Sequence, residues 1–282
     1  MIHKRSILIL SATAILAFST WLLIPSEPSY NGHRLSYWLD VIDRANHNML
    51  PLPAAEQKNV DTATDAVQHI GAKAIPKLLA MIRAHHSPWQ FKLQQFASNQ
   101  LSIHLRLTDT DEQNYSAALG FVSIGTNARP AIPALITILG EKYSPMSFKC
   151  TSAILSSFGP DADAAVPTLI RILANTPGNS FAAINARTDA LSALAHIHTR
   201  PAAVVPVLTN LLTQPFPPGE AIEALGNYGP EAKSAIPLLL NLTSSADKWT
   251  RLSAIEAVRK IDPAEAALHQ AQFDSILQSS DQ

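Results

Sequence analysis

An isoleucine–proline phrase recurs along this chain, and its recurrence constrains the fold more than any other feature. The copies are "AKAIPKLLAMI" (72–82), "RPAIPALITIL" (129–139), "DAAVPTLIRIL" (163–173), "AAVVPVLTNLL" (202–212) and "KSAIPLLLNL" (233–242). A second phrase precedes each copy and occurs once more near the end, as "AVQHIG", "GFVSIG", "ILSSFG", "ALAHIH", "ALGNYG" and "AVRKID". From the second copy onward the spacing is about 31 to 39 residues, which is typical of helical repeats.

One unit of this pattern predicts two helices joined by a turn. In "EAIEALGNYG", Ile222, Leu225 and Tyr228 fall on one helical stripe. Gly229 follows, where a left-handed residue ends many helices and glycine adopts that conformation most easily. Pro237 then lies in the first turn of the next helix, where its missing N–H costs nothing. We also expect this proline to hold Ile236 in an extended conformation.

These units resemble HEAT repeats, in particular the "LGxxGPxAxxAIPxLxxLL" version of bacterial PBS-lyase-like HEAT proteins. The resemblance covers about residues 60–275 and implies an all-α fold, a right-handed α-solenoid of about six HEAT-like repeats. It is specific for fold and not for activity, because HEAT arrays are mostly binding scaffolds. In addition, "YNGHRLSYWLDVI" (30–42) is similar to the entry segment of exported bacterial HEAT proteins.

The same pattern predicts the domain boundaries. After a linker at 25–33, the HEAT-repeat region 34–282 begins with an N-terminal capping helix at 34–48, whose apolar side carries Leu35, Trp38, Leu39 and Ile42. The repeats occupy 60–262, and the long gap after the first copy predicts an extra helix near 87–107. Residues 263–282 form a C-terminal cap, because terminal repeats must cover the open end of the core. Its covering side chains are Leu268, Phe273 and Leu277.

Residues 1–24 have the pattern of an export signal. Lys4 and Arg5 precede an uncharged, mostly apolar run, as in signal peptides. Residues 6–24 are also long enough to cross a bilayer as a signal-anchor transmembrane helix, with the basic residues on the cytoplasmic side. We therefore predict an exported protein. It is either anchored in the inner membrane and facing the periplasm, or periplasmic or secreted after cleavage.

Composition and charge exclude several classes of function. The 282 residues are 47% apolar and 15% charged, with a formal net charge of −1 and no basic block. Nucleic-acid binding needs a clustered positive face, so we expect no nucleic-acid partner. A single cysteine, Cys150, excludes an intramolecular disulfide and a Cys-rich zinc site. Its apolar helical neighbours predict a buried thiol.

The residues give little support for catalysis. The sequence contains no Gly-rich phosphate loop, nucleophile elbow or HExxH motif. His196 and His198 lie two apart, on different sides of a helix, and His198 occupies the turn position, where histidine tolerates positive φ. Di-iron hydroxylases of the HEAT fold use His-Glu dipeptides on successive repeats, and this chain has none. We predict that the protein is not an enzyme and holds no cofactor or metal.

A surface remains as the candidate site. In a HEAT array the second helices line the concave face, and two positions of each isoleucine–proline helix fall outside its core pattern. Five residues after the Ile or Val that precedes proline lie Ala80, Thr137, Arg171, Asn210 and Asn241, and two residues after it lie Lys77, Ala134, Thr168, Val207 and Leu238. We predict that the polar members of both rows contact a partner; they are Thr137, Arg171, Asn210, Asn241, Lys77 and Thr168.

The expected function is a non-catalytic protein–protein interaction scaffold of the bacterial cell envelope. It would bind an unknown protein partner in the concave groove, with the membrane as a second contact through residues 6–24 if these are retained. Two alternatives stay open. One is a structural component that self-associates end to end, and the other is a lyase-like enzyme of the PBS-lyase HEAT group.

Overall fold

The computed structural model describes residues 27–47, 53–85, 109–141, 144–176, 180–214 and 218–280. Across these ranges the chain is all-α apart from one two-stranded hairpin. None of the helices in these ranges combines the length and apolarity needed to cross a membrane. The predicted export segment 1–24 and the predicted extra helix near 87–107 lie outside the described residues.

The helices follow one another along the chain with short connections. They are α1 (Leu35–His47), α2 (Ala54–Ile70), α3 (Ile75–Ile82), α4 (Thr110–Ile124), α5 (Ile132–Gly140), α6 (Pro145–Ser157), α7 (Val166–Asn175), α8 (Phe181–Ile197), α9 (Pro201–Leu211), α10 (Gly219–Tyr228), α11 (Ile236–Leu242), α12 (Lys248–Ile261), α13 (Pro263–Leu268) and α14 (Gln270–Ser280). Seven-residue 3₁₀ segments precede α5, α7 and α11, and a four-residue one precedes α3.

A small hairpin lies where the sequence predicts a linker. Strands β1 (Ser29–Tyr30) and β2 (His33–Arg34) pair antiparallel around Asn31 and Gly32, which both have positive φ. An Asn-Gly pair favours this kind of two-residue hairpin turn. The indole Nε1 of Trp38 donates to the carbonyl of Tyr30 at 3.3 Å, so the hairpin is attached to α1.

The helices form two rows. The glycine row comprises α2, α4, α6, α8, α10 and α12, which end at the Gly, His or Asp turn position, and each contacts the next along the series. The proline row comprises α3, α5, α7, α9 and α11, which carry the isoleucine–proline phrase. Successive helices of this row contact each other less than successive helices of the glycine row do. Small residues let neighbouring helices of the glycine row approach each other closely. A methyl group built on Gly226 of α10, for example, would lie 3.2 Å from Cα of Ala257 on α12.

Each proline helix packs most extensively on the glycine helix that follows it: α3 on α4, α5 on α6, α7 on α8, α9 on α10 and α11 on α12. The two helices joined by a glycine turn are therefore not the most extensively packed pair. Where a 3₁₀ segment joins the two helices, each of them contacts that segment, which separates their ends. The glycine turn therefore joins one packed pair to the next.

The glycine turns need a conformation that other residues avoid. Gly71, Gly125 and Gly229 have φ of 56°, 63° and 54° with ψ between −135° and −137°, and Gly159 has φ of 54°. The predicted extended conformation of Ile236 before Pro237 is wrong, because Ile236 is helical with φ of −51° and ψ of −46°. The preceding 3₁₀ segment already supplies helical geometry, and the proline sits within the first turn, where it is tolerated.

The turn at His198 differs from the four glycine turns. His198 and Arg200 both adopt the left-handed α conformation, with φ of 51° and 52°, as predicted for His198. No 3₁₀ segment follows, and α9 begins at Pro201, so Pro206 lies inside the helix. The hydroxyl of Tyr228 on the next glycine helix points at this turn and donates to the carbonyl of Thr199 at 2.9 Å.

The two ends of the helix series are covered differently. On α1, Leu35, Trp38, Leu39 and Ile42 are buried, as predicted. At the C-terminal end Phe273 is fully buried and Leu277 is half-buried. The prediction for Leu268 is wrong, because its side chain is 79% exposed. The chain bends after α13, at His269, and this bend turns Phe273 rather than Leu268 towards the core.

Candidate functional site

The predicted contact residues lie on the helices of the proline row, and most of them face solvent. Lys77, Thr137, Arg171, Asn210 and Asn241 are exposed. Thr168 is half-buried, so it contributes less surface than the sequence indicated. Each proline helix contributes one or two of these residues, as the spacing of the phrase predicts.

Their hydrogen-bonding groups differ in availability. Within the described chain, the side-chain polar groups of Lys77, Asn210 and Asn241 make no hydrogen bond or ion pair. The hydroxyl of Thr137 donates to the carbonyl of Pro133 on its own helix at 3.0 Å. Arg171 reaches the end of α5, since a methyl group on Gly140 would lie 3.6 Å from its Nη2. Cations are favourable at a helix C-terminus.

Sequence reasoning missed that the prolines belong to the same surface. All five prolines of the repeated phrase are exposed: Pro76, Pro133, Pro167, Pro206 and Pro237. Each lies four residues before Ala80, Thr137, Arg171, Asn210 or Asn241, and residues four apart are neighbours on a helix. The four-residue spacing is a sequence signal for a shared helix face, although the sequence pattern predicts for these prolines only a position in the first helical turn.

The glycine row carries a different surface. Between α2 and α12, the large apolar side chains that are clearly exposed in the described residues all lie on glycine-row helices; they are Tyr115, Val122, Phe181, Ile184 and Trp249. Phe181 is 81% exposed and Trp249 is 75% exposed. Exposed apolar side chains of this size often mark sites of interaction. None of these residues was among those predicted from the sequence to contact a partner.

Ion pairs connect the turn of one repeat to the turn of the next. Arg129 pairs with Asp161, Arg200 with Asp163 and Lys233 with Asp262, and Nε2 of His198 lies 3.8 Å from a carboxylate oxygen of Glu231. The Arg200 guanidinium holds the pKa of the Asp163 carboxyl below its ordinary value, mainly through side-chain hydrogen bonds. Lys233 lowers the pKa of Asp262 in the same way. These pairs are substantially exposed, so each contributes little stability alone.

The chemically reactive residues occupy structural positions. Cys150 is 4% exposed, and burial raises the pKa of its thiol to about 11. The ring of His198 lies edge-on to that of Tyr228, with centroids 4.8 Å apart, and Nδ1 of His196 faces the carbonyl of Ser192 on its own helix. In the described ranges no group of three or more His, Cys, Asp or Glu residues is arranged to hold a metal ion.

A cavity of about 510 Å³ opens at the edge opposite to the turns. It lies between the C-terminal ends of α5 and α7 and the N-terminal ends of α6 and α8. Leu139, Phe148, Ile172 and Ala186 contribute apolar walls, and Asp189 of α8 contributes a carboxylate. Burial raises the pKa of Asp189, and the positive charge of Lys149 opposes that shift.

Comparison of the chain with protein-family models and with curated proteins finds no match in either case. The resemblance to HEAT repeats therefore rests on the sequence pattern.

Proposed function

We propose that this protein is a non-catalytic protein–protein interaction scaffold, built as a right-handed α-solenoid of about six HEAT-like repeats. One observation carries the proposal: among the described residues between α2 and α12, the exposed large apolar side chains are all on the glycine row. Trp and Tyr are enriched among the residues that dominate binding energy at interfaces. A surface of this kind suits a polypeptide partner laid across successive repeats.

The packing favours the glycine row as the concave side. In a curved array the inner helices lie closer to their neighbours than the outer helices do. The glycine row has the more continuous neighbour contacts and includes the close approach of Gly226 to Ala257. The sequence predicts instead that the proline row lines the groove, with Arg171, Asn210 and Asn241 as contact residues. The two faces are therefore competing sites for the same function.

The proposed location is the bacterial cell envelope, on the strength of the export pattern in residues 1–24. A reporter enzyme that is active only outside the cytoplasm, fused after Gln282, tests it. We expect activity, and an inactive but expressed fusion would contradict export.

Photocrosslinking in native membranes tests the scaffold and decides between the faces. A photoreactive amino acid is placed at Ser192, exposed on the glycine row, or at Asn210, exposed on the proline row. We expect an adduct with a foreign protein from Ser192. Adducts from Asn210 alone would move the site to the proline row, and adducts between copies of this chain alone would contradict the scaffold.

Two triple variants complete the test. Tyr115→Ser, Phe181→Ser and Trp249→Ser together remove the aromatic anchors, and we expect the adduct to disappear while the far-UV circular dichroism spectrum is retained. The matched set on the other face is Arg171→Ala, Asn210→Ala and Asn241→Ala. We expect this second set to leave the Ser192 adduct unchanged.

End-to-end self-association is a second candidate, because Leu268 at the C-terminal end is 79% exposed. An apolar side chain at the end of a repeat array can contact the end of another copy. Light scattering over a concentration series tests this candidate. A mass that rises with concentration and returns to the monomer in Leu268→Ser supports stacking, whereas a monomer at every concentration rejects it.

A further inference from the structure

The cavity at the edge opposite to the turns has the composition of a binding site for an organic cation. Its volume of about 510 Å³ lies within the usual range of ligand pockets. Its walls are mainly apolar, and the charged residues among its described lining are Glu141 and Asp189, which are both acidic. A carboxylate among apolar walls recognises a cation that carries apolar groups.

Asp189 is the residue that gives the cavity its specificity. Its side chain is half-buried on α8, on the helix face that also presents Ala182, Asn185 and Ala186 to the cavity. Among the residues that the structure describes, no hydrogen-bond or ion-pair partner of its carboxylate is found. Lys149 is close enough to influence its charge but forms no ion pair with it. A half-buried carboxylate loses hydration, and the charge of Lys149 offsets this loss only in part, since the pKa of Asp189 stays raised.

A bound cation would supply the missing partner. An ammonium or guanidinium group forms charge-assisted hydrogen bonds with a carboxylate, and these are the stronger kind. Its aliphatic or aromatic stem would rest on Phe148 and Ile172. We infer that this cavity binds an organic cation with an apolar stem, supplied by a Lys or Arg side chain of the partner polypeptide or by a free amine. The polypeptide source rests on the proposed function, whereas the cation site itself does not.

Three small probes test the inference by titration calorimetry with the full chain. Acetyl-leucyl-arginine amide carries the cation, acetyl-leucyl-citrulline amide has nearly the same shape without the charge, and phenethylamine represents a free amine. We expect the arginine peptide to bind at least tenfold more tightly than the citrulline peptide. Tighter binding of the peptide than of phenethylamine assigns the source to a polypeptide, and the reverse order assigns it to a free amine.

Variants connect the binding to Asp189. We expect Asp189→Asn to weaken binding of the arginine peptide at least tenfold and to leave binding of the citrulline peptide unchanged. Asp189→Asn also removes a poorly hydrated charge, so its melting temperature should be no lower than that of the wild type. Glu256→Gln, on an exposed part of α12, is the matched control and should bind like the wild type.

Equal binding of the arginine and citrulline peptides, or full binding by Asp189→Asn, would overturn the inference. Failure of all three probes to bind would overturn it as well. None of these results bears on the crosslinks from Ser192, so the cavity and the scaffold can fail separately.

Discussion

Replacing Gly229 by alanine measures the free energy that a residue other than glycine loses in the backbone conformation of this turn. A Cβ atom built at Gly229 would lie 3.9 Å from the carbonyl oxygen of Lys260, which is ordinary contact. The cost must then come from the backbone, which has φ of 54° and ψ of −135°. A residue held in such a sparsely populated region costs about 1 to 3 kcal/mol. At about 2 to 4 °C per kcal/mol for a domain of this size, the melting temperature should fall by about 2 to 12 °C.

Gly219 provides the matched control for this substitution. It is the first residue of α10, it has negative φ, and nothing lies within 4 Å of an added Cβ. Gly219→Ala should therefore leave stability unchanged or raise it by up to about 1 kcal/mol, by reducing the entropy of the unfolded chain. Circular dichroism at 222 nm and calorimetry measure both variants. Equal melting temperatures for the two variants would refute the backbone argument.

Three further outcomes follow from individual contacts. Cys150, buried and with a pKa raised to about 11, should resist a thiol-specific disulfide reagent at pH 8 until urea unfolds the chain, and rapid labelling of the native protein would contradict its burial. Tyr228→Phe should lower the free energy of unfolding by about 1 to 2 kcal/mol in urea titrations, since it removes the hydrogen bond to Thr199 and leaves a carbonyl without its donor. The folded-state pKa of Asp163 is lowered by Arg200, so this carboxylate stabilises the fold above its ordinary pKa and ceases to do so as the pH falls through the lowered value. The difference in melting temperature between the wild type and Asp163→Asn should accordingly narrow as the pH falls from 7 to 2, and a constant difference would contradict the role of the charge.

The helical elements were largely predictable because their signals are local. Gly229 and Pro237 mark the end of one helix and the start of the next, and the structure has α10 ending at Tyr228 and α11 starting at Ile236. The left-handed conformation of His198 was also predictable, because histidine tolerates positive φ better than most residues. In the same way Asn31 and Gly32 carry a hairpin signal, although the surrounding Pro and Ser residues had indicated a linker.

The pairing of helices and the faces they expose were not predictable from the same signals. A proline helix repeats its apolar residues in the same way whether it packs on the helix before it or on the helix after it. The choice depends on the packing of the whole series of helices, since α9, which no 3₁₀ segment precedes, pairs in the same way as the other proline helices. Exposure of Phe181 and Trp249 likewise depends on neighbouring helices, and Asp189 meets Phe148 only through the packing of α6 against α8.

The ion pairs connect successive turns, at the N-terminal ends of the proline helices, while the cavity lies at the C-terminal ends of α5 and α7. Exposed ion pairs weaken as ionic strength rises, and the apolar contacts within each packed pair do not. Salt therefore acts selectively on the joints between repeats. We expect the radius of gyration measured by X-ray scattering to change with salt while the helical content stays constant. The ionic strength around the protein would then determine the distance between successive repeats over which a partner must bind.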